Sequence, residues 1–124
     1  MIRKYPTAYV PDETAEQIAV ADYLRYKHYL FIHVPNEGKR SITVARILKR
    51  MGLKPGFPDL IIFEPNGTFH ALVIEMKTLK GRTSEDQEEW IRNLNAKGYY
   101  ACVCKGADAA IKVIDEYLKG NAKE

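Results

Sequence analysis

The stretch that most constrains this chain is Ala71-Leu72-Val73-Ile74-Glu75-Met76-Lys77. Its apolar start, with β-branched Val73 and Ile74, reads as a buried strand. The same run then carries a carboxylate and an ammonium two positions apart. Side chains alternate along a strand, so Glu75 and Lys77 share a face. Charge is costly in a buried strand unless it is paired, so this strand end is a candidate for chemistry rather than packing alone. The competing structural reading is a solvated strand end with a surface ion pair of little energetic value.

A second carboxylate can reach the first. The preceding strand, 59–63, opens on Asp59 directly after Gly56-Phe57-Pro58, and Pro65-Asn66-Gly67 is a hairpin turn. A loop with an odd number of residues pairs positions whose numbers have an even sum. A loop of residues 66–68 sets Asp59 opposite Glu75. A loop of residues 65–67 sets Asp59 opposite Val73, diagonal to Glu75. Both bring Asp59, Glu75 and Lys77 to one face. A two-residue Asn66-Gly67 loop would turn Asp59 to the other face unless a bulge intervened, so the reading requires an odd loop or a bulge.

The remaining pattern predicts helices over 12–27, 42–51, 85–97 and 107–118, and further strands over 29–34, 69–76 and 99–103. Ser41 and Ser84 are N-cap residues, Ser84-Glu85-Asp86-Gln87 matches a capping box, and Gly52 and Gly98 end their helices. The order α-β-α-β-β-α-β-α implies an α/β fold with a mixed sheet flanked by helices. At 124 residues this is one domain, 1–124, with an N-terminal arm over 1–11 and a C-terminal tail over 119–124. A hydrophobic content of 46% excludes a disordered chain. Cys102 and Cys104 point the same way in a strand and have no other cysteine to pair with, which argues against a disulfide scaffold or a cysteine zinc site. The start lacks the apolar core of a signal peptide and no apolar run is long enough to span a membrane, so a soluble, cytoplasmic protein is expected. His28, His33 and His70 lack metal-ligand spacing and read as structural or surface groups. Trp90, Ile91 and Leu94 have helical spacing and read as core.

Two carboxylates held together away from water repel, and one protonates unless a cation lies between them. Mg²⁺ suits such a pair, because it prefers oxygen ligands and keeps waters, with Mn²⁺ as a substitute. A metal there lowers the pKa of a water and stabilises charge on a scissile phosphate. Lys77 would orient or deprotonate the water, or neutralise the developing charge on phosphorus. These roles are not separable from the sequence.

Gly56-Phe57-Pro58-Asp59, a spacer of 15 residues and Glu75-Met76-Lys77 resemble the PD-(D/E)XK nuclease motif. The surroundings resemble more specifically the virus-type replication-repair nuclease family, VRR-NUC. They are Pro35-Asn36-Glu37-Gly38, Lys54-Pro55-Gly56, Gly81-Arg82, a Gln-containing helix start followed by Trp90, and the C-terminal Val-Cys-Lys-Gly stretch. The resemblance spans roughly residues 13–118. It implies a restriction-endonuclease-like core in which Asp59, Glu75 and the Met76 backbone carbonyl hold metal and Lys77 is the catalytic lysine. It also implies a glutamate on the first helix, bound directly or through water. Glu16 is favoured, with Glu13 one turn away. Gln87 is implied near the site, although a capping box alone explains it, and Glu16 also suits the positive end of its helix. The chain resembles the stand-alone phage and bacterial members, which implies a homodimer acting on branched DNA in a bacterial or phage-infected cytoplasm.

The net charge of +3 conceals two opposed regions. Between residues 39 and 54 lie Lys39, Arg40, Arg46, Lys49, Arg50 and Lys54 with no acid. Together with Asn36, and with Lys80 and Arg82 further on, they form the expected phosphate-contacting rim. Glu85, Asp86, Glu88 and Glu89 form an acidic helix start. The expected activity is metal-dependent, structure-selective hydrolysis of DNA phosphodiesters, in the manner of a Holliday-junction resolvase in replication, repair or recombination. The alternatives are a flap, end-processing or restriction-like nuclease, and a non-catalytic basic DNA-binding module.

Overall fold

The computed structural model of the chain describes residues 13–35 and 41–119. The elements follow in the expected order: α1 (Glu13–Tyr26), β1 (Phe31–His33), α2 (Ile42–Arg50), β2 (Leu60–Ile62), β3 (Leu72–Lys77), α3 (Glu85–Ala96), β4 (Tyr100–Lys105) and α4 (Ala107–Leu118). The strands form one sheet in the order β1-β2-β3-β4, with two antiparallel pairings and a parallel β3–β4 pair. The expected arm over 1–11 and the tail after residue 119 lie outside the described residues, as do Asn36, Lys39 and Arg40.

The β2–β3 register is set by a side chain. Asn66 Oδ1 accepts the Thr68 and Phe69 amides at 2.9 and 2.8 Å, and Asn66 Nδ2 donates to Tyr117 O at 2.9 Å. This Asx turn anchors the connection to α4. Leu60 pairs with Ile74, Ile61 with Val73 and Ile62 with Leu72. Each pair has an even sum, as an odd loop requires, and one further step sets Asp59 beside Glu75.

The even-numbered strand residues Leu60, Ile62, Leu72, Ile74, Met76 and Cys104 form a buried core with Val20 and Leu24 of α1 and Ile114 and Tyr117 of α4. The odd-numbered face of the sheet meets α3, whose Asn95 side chain exchanges hydrogen bonds with the backbone of Ala101 at 2.9 and 3.0 Å. Strand β3 is therefore covered on both faces. That explains a nearly continuous apolar run, and makes its two charges conspicuous.

Strand boundaries differ from expectation: β2 covers 60–62 rather than 59–63, and β3 covers 72–77 rather than 69–76, because the Asn66 turn takes the Phe69 amide. Asp59 stands just before β2 rather than inside it. Strand β1 is shorter than 29–34, because Tyr29 N–H is taken by Leu24 O at the end of α1, after a left-handed turn at His28 (φ 61°). Strand β4 runs on to Lys105 rather than ending at 103. Its parallel ladder with β3 continues through Lys77↔Lys105 and stops at Gly106, at φ 91°.

Helix α2 is the exception to this packing. Ser41 Oγ caps it at 3.1 Å from Val44 N, yet none of its residues is buried. Val44, Ile47 and Met51 are exposed, Met51 to 77%. Their spacing, with Leu48, is that of an apolar helical stripe, and Arg46, Lys49 and Arg50 lie on the other side of the helix.

Candidate active site

Asp59 is delivered by a stiff segment. Gly56 has φ +85°, and a Cβ there would lie 2.7 Å from the Asp86 Cβ, so only glycine lets this loop touch the start of α3. Phe57 packs edge-on against Trp90 with centroids 4.8 Å apart, and Trp90 Nε1 donates to Pro55 O at 3.0 Å. Lys54 Nζ stands 5.9 Å over the same indole. Pro58 is fully buried. Trp90 is thus the clamp between this loop and α3, a role that helical spacing alone did not reveal.

The Asp59 carboxylate accepts the Met76 amide at Oδ2, 2.7 Å away. Burial pushes the Asp59 carboxyl above the usual range; the Met76 N–H bond, the charges of His33 and Lys77, and a bond with Glu75 oppose this. The Asp59 carbonyl also accepts from Val34 N at 2.7 Å and lies 3.0 Å from His33 Nδ1. As a carbonyl only accepts, His33 carries its proton on Nδ1 in this contact. His33, read from the sequence as structural or surface, therefore borders the site. Only the β1–β2 register, absent from any motif, reveals it.

Glu75 is 1% exposed. Its Oε2 lies 3.2 Å from Lys77 Nζ and 3.0 Å from Gln87 Nε2. Gln87 both caps its helix and bonds the Glu75 carboxylate. Its Oε1 accepts the Ser84 amide at 2.9 Å and Ser84 Oγ accepts the Gln87 amide at 3.2 Å, which closes the capping box, while its amide nitrogen holds the carboxylate. The cap fixes which way the amide points.

Glu16 approaches from α1. Its Oε1 lies 3.3 Å from where a Gly106 Cβ would stand, and Gly106 N–H donates to Lys77 O at 2.9 Å. Glu16 therefore lies at the end of β3 that carries Lys77. The Met76 side chain is buried on the opposite face, while its backbone bonds Asp59. Asp59, Glu75, Lys77 and Gln87 thus come together at the C-terminal end of β3, whereas Glu16 stands beside Gly106 and does not join the two carboxylates in one cluster. Arg46, Lys49, Arg50 and Lys54 are exposed on α2 and the loop after it, and Lys80 and Arg82 are exposed on the loop after β3. No residue in this set touches the carboxylates.

Among the described residues, no three His, Cys, Asp or Glu side chains cluster closely enough to hold a metal by themselves. The protein's offer is a carboxylate pair plus nearby backbone oxygens. That is a poor zinc site but an adequate one for a hard cation that retains waters.

A family model described as the VRR-NUC domain matches residues 12–108. A solved structure described as a VRR_NUC domain protein is 32% identical, with a TM-score of 0.75, covering 90% of this chain and 91% of that one. A second, described as a VRR_NUC domain, is 17% identical with a TM-score of 0.61 over 87% and 99% of the two chains, and shares the fold. No curated protein matches the chain.

Proposed function

The chain belongs to the VRR-NUC family, nucleases of the PD-(D/E)XK type, and on that premise we propose that it is a metal-dependent, structure-selective DNA endonuclease. The observation that carries the reading is a carboxylate buried to 1% exposure, held between a lysine and a glutamine and beside a second carboxylate. Pure DNA binding gains nothing from such a group, because carboxylates repel phosphate.

The residues divide the work. Asp59 and Glu75 would hold Mg²⁺, or Mn²⁺ in its place, with the Met76 carbonyl as a further ligand and Glu16 reaching the ion through water. When bound, the ion supplies charge stabilisation at the scissile phosphate and a more acidic water. Lys77, fixed by Glu75 at 3.2 Å, stands where it can orient the attacking water or offset charge gathering on the phosphate oxygens. Gln87 holds the Glu75 carboxylate so that it need not reorganise on binding. A bound cation would oppose the effect of burial on the Asp59 carboxyl and favour its charged form.

Branched DNA is the proposed substrate, and Holliday-junction resolution the proposed reaction. Resolution needs two opposed cuts, and a two-fold homodimer supplies two sites symmetrically. The uncovered stripe of Val44, Ile47 and Met51 supports a second copy, because the basic side of α2 stays turned away from it. Among the described residues no helix is long and apolar enough to cross a membrane; a cytoplasmic site of action is proposed.

The test is cleavage of labelled junctions, flaps, splayed arms and duplexes by wild type and Glu75→Ala side by side, with Mg²⁺ or Mn²⁺. Paired symmetric nicks in the junction, absent with Glu75→Ala, support resolution. Preferred cutting of flaps or ends moves the reading to end processing. Equal cutting by both proteins removes the proposed mechanism.

A further inference from the structure

The face of the sheet that carries Glu75 and Lys77 is only partly roofed. Helix α3 covers it over Val73 and Ala101, both buried. Toward the C-terminal ends of β3 and β4 the roof stops. The parallel register sets Val103 beside Glu75 and Lys105 beside Lys77, and directly paired residues point to the same face. Val103 is 37% exposed and Lys105 is exposed, on the edge strand of the sheet.

Lys105 has no structural employment that accounts for it. Its ammonium makes one long contact, 3.4 Å to Leu79 O, and among the described residues no carboxylate pairs with it. Its immediate neighbour is another lysine. Like charges directly across a strand pair are unfavourable, so folding alone does not call for a lysine here. An anion lying over both strand ends reverses the sign of that interaction.

We propose that Lys105 holds a phosphate adjacent to the scissile one, so that the cleaved strand leaves the site across the exposed end of β4. This rests on the nuclease reading and extends it, because the described basic residues expected to contact phosphate, Arg46, Lys49, Arg50, Lys54, Lys80 and Arg82, lie on α2, the loop after it or the loop after β3. The footprint then reaches the β4 edge of the sheet, while α2 meets DNA from the connection between β1 and β2.

The experiment measures binding and cutting separately. DNA affinity is followed by fluorescence anisotropy with Ca²⁺ in place of Mg²⁺, over a salt series. Lys105→Ala should weaken binding roughly 3- to 10-fold and flatten the log–log salt slope by about 0.7–0.9, the signature of one lost phosphate contact. Lys105→Arg should restore both. In steady-state cleavage KM should rise while kcat stays within about two-fold. Once the wild-type cut is mapped, an oligonucleotide with a single neutral methylphosphonate beside it should weaken the wild type but leave Lys105→Ala without further loss. Equal loss in both proteins, or unchanged affinity and salt slope in Lys105→Ala, overturns the assignment while the nuclease reading stands. A wild-type protein that binds no DNA overturns both.

Discussion

Helix α2 precedes the loop that delivers Asp59 and helix α3 follows the strand that carries Glu75, and the two are built on opposite rules. α3 begins with a complete capping box, bears Glu85, Asp86 and Glu88 in its first turn, buries Gln87 and clamps the loop that delivers Asp59. α2 also has a serine cap, but no acid in its first turn, two basic residues in its last and no buried side chain. An isolated nine-residue helix is marginal in water. α3 is therefore held by what it positions, whereas α2 is left free to be held by what it meets. The acids of α3 offset charge at its own N-terminus, and the bases of α2 are exposed, where the proposed function uses them for phosphate.

This division predicts that damage on the α3 side changes rate and stability, and damage on the α2 side changes affinity. The largest effect is at Lys77. Lys77→Ala should lower kcat by about 10²–10⁴-fold, the usual range for a proton-handling or charge-stabilising group, while calorimetric Ca²⁺ binding persists because both carboxylates remain. Next comes Gly56→Ala, at positive φ and against α3, which should cost about 1–3 kcal/mol in urea unfolding and lower kcat through Asp59. Gln87→Ala and Ser84→Ala separate the two uses of one glutamine. Both should lose about 1 kcal/mol of cap energy, but only Gln87→Ala frees the Glu75 carboxylate and lowers kcat. Replacing Arg46, Lys49 and Arg50 together with alanine should leave kcat and stability nearly unchanged, while raising Kd for DNA and reducing its salt dependence. A fall in kcat matching that of Gln87→Ala would break the comparison.

The smallest effect concerns pH. Burial raises the Asp59 pKa in the folded protein, so the folded state binds that proton more tightly than the unfolded chain does. The resulting stability is present below the ordinary aspartate range and is lost as pH rises through the higher folded value. In EDTA, Asp59→Asn should therefore be more resistant to urea than wild type at neutral pH, with the difference closing in acid, although the variant no longer cuts DNA. Resistance to urea equal to or below that of wild type at neutral pH would show that the Met76, His33 and Lys77 interactions outweigh burial.

The element order and the Asp59–Glu75–Lys77 constellation were legible because both depend on local pattern. Period-two alternation sets Glu75 and Lys77 on one face; Asp59 joins them only with an odd loop, which the sequence left open and the Asn66 turn supplies. What was not legible depends on pairing between distant segments. Lys105 meets Lys77 only through a parallel register, and His33 meets Asp59 only because β1 joins the sheet edge. Gln87 read equally well as a cap or a site group because it closes the capping box and also bonds Glu75, and a spacing rule cannot report a side chain that uses each end differently. The apolar stripe on α2 was hidden by its six basic neighbours between residues 39 and 54, which drew attention to charge.

The central claim is that Glu75 is buried for chemistry rather than for folding, and Glu75→Gln tests it most directly. The variant keeps the shape and the hydrogen-bonding capacity beside Gln87 but removes the charge. Single-turnover cleavage and DNA affinity should be measured together with Mg²⁺. The prediction is DNA binding within a few-fold of wild type and cleavage reduced by about 10³-fold or more. Wild-type cleavage by Glu75→Gln would contradict the account.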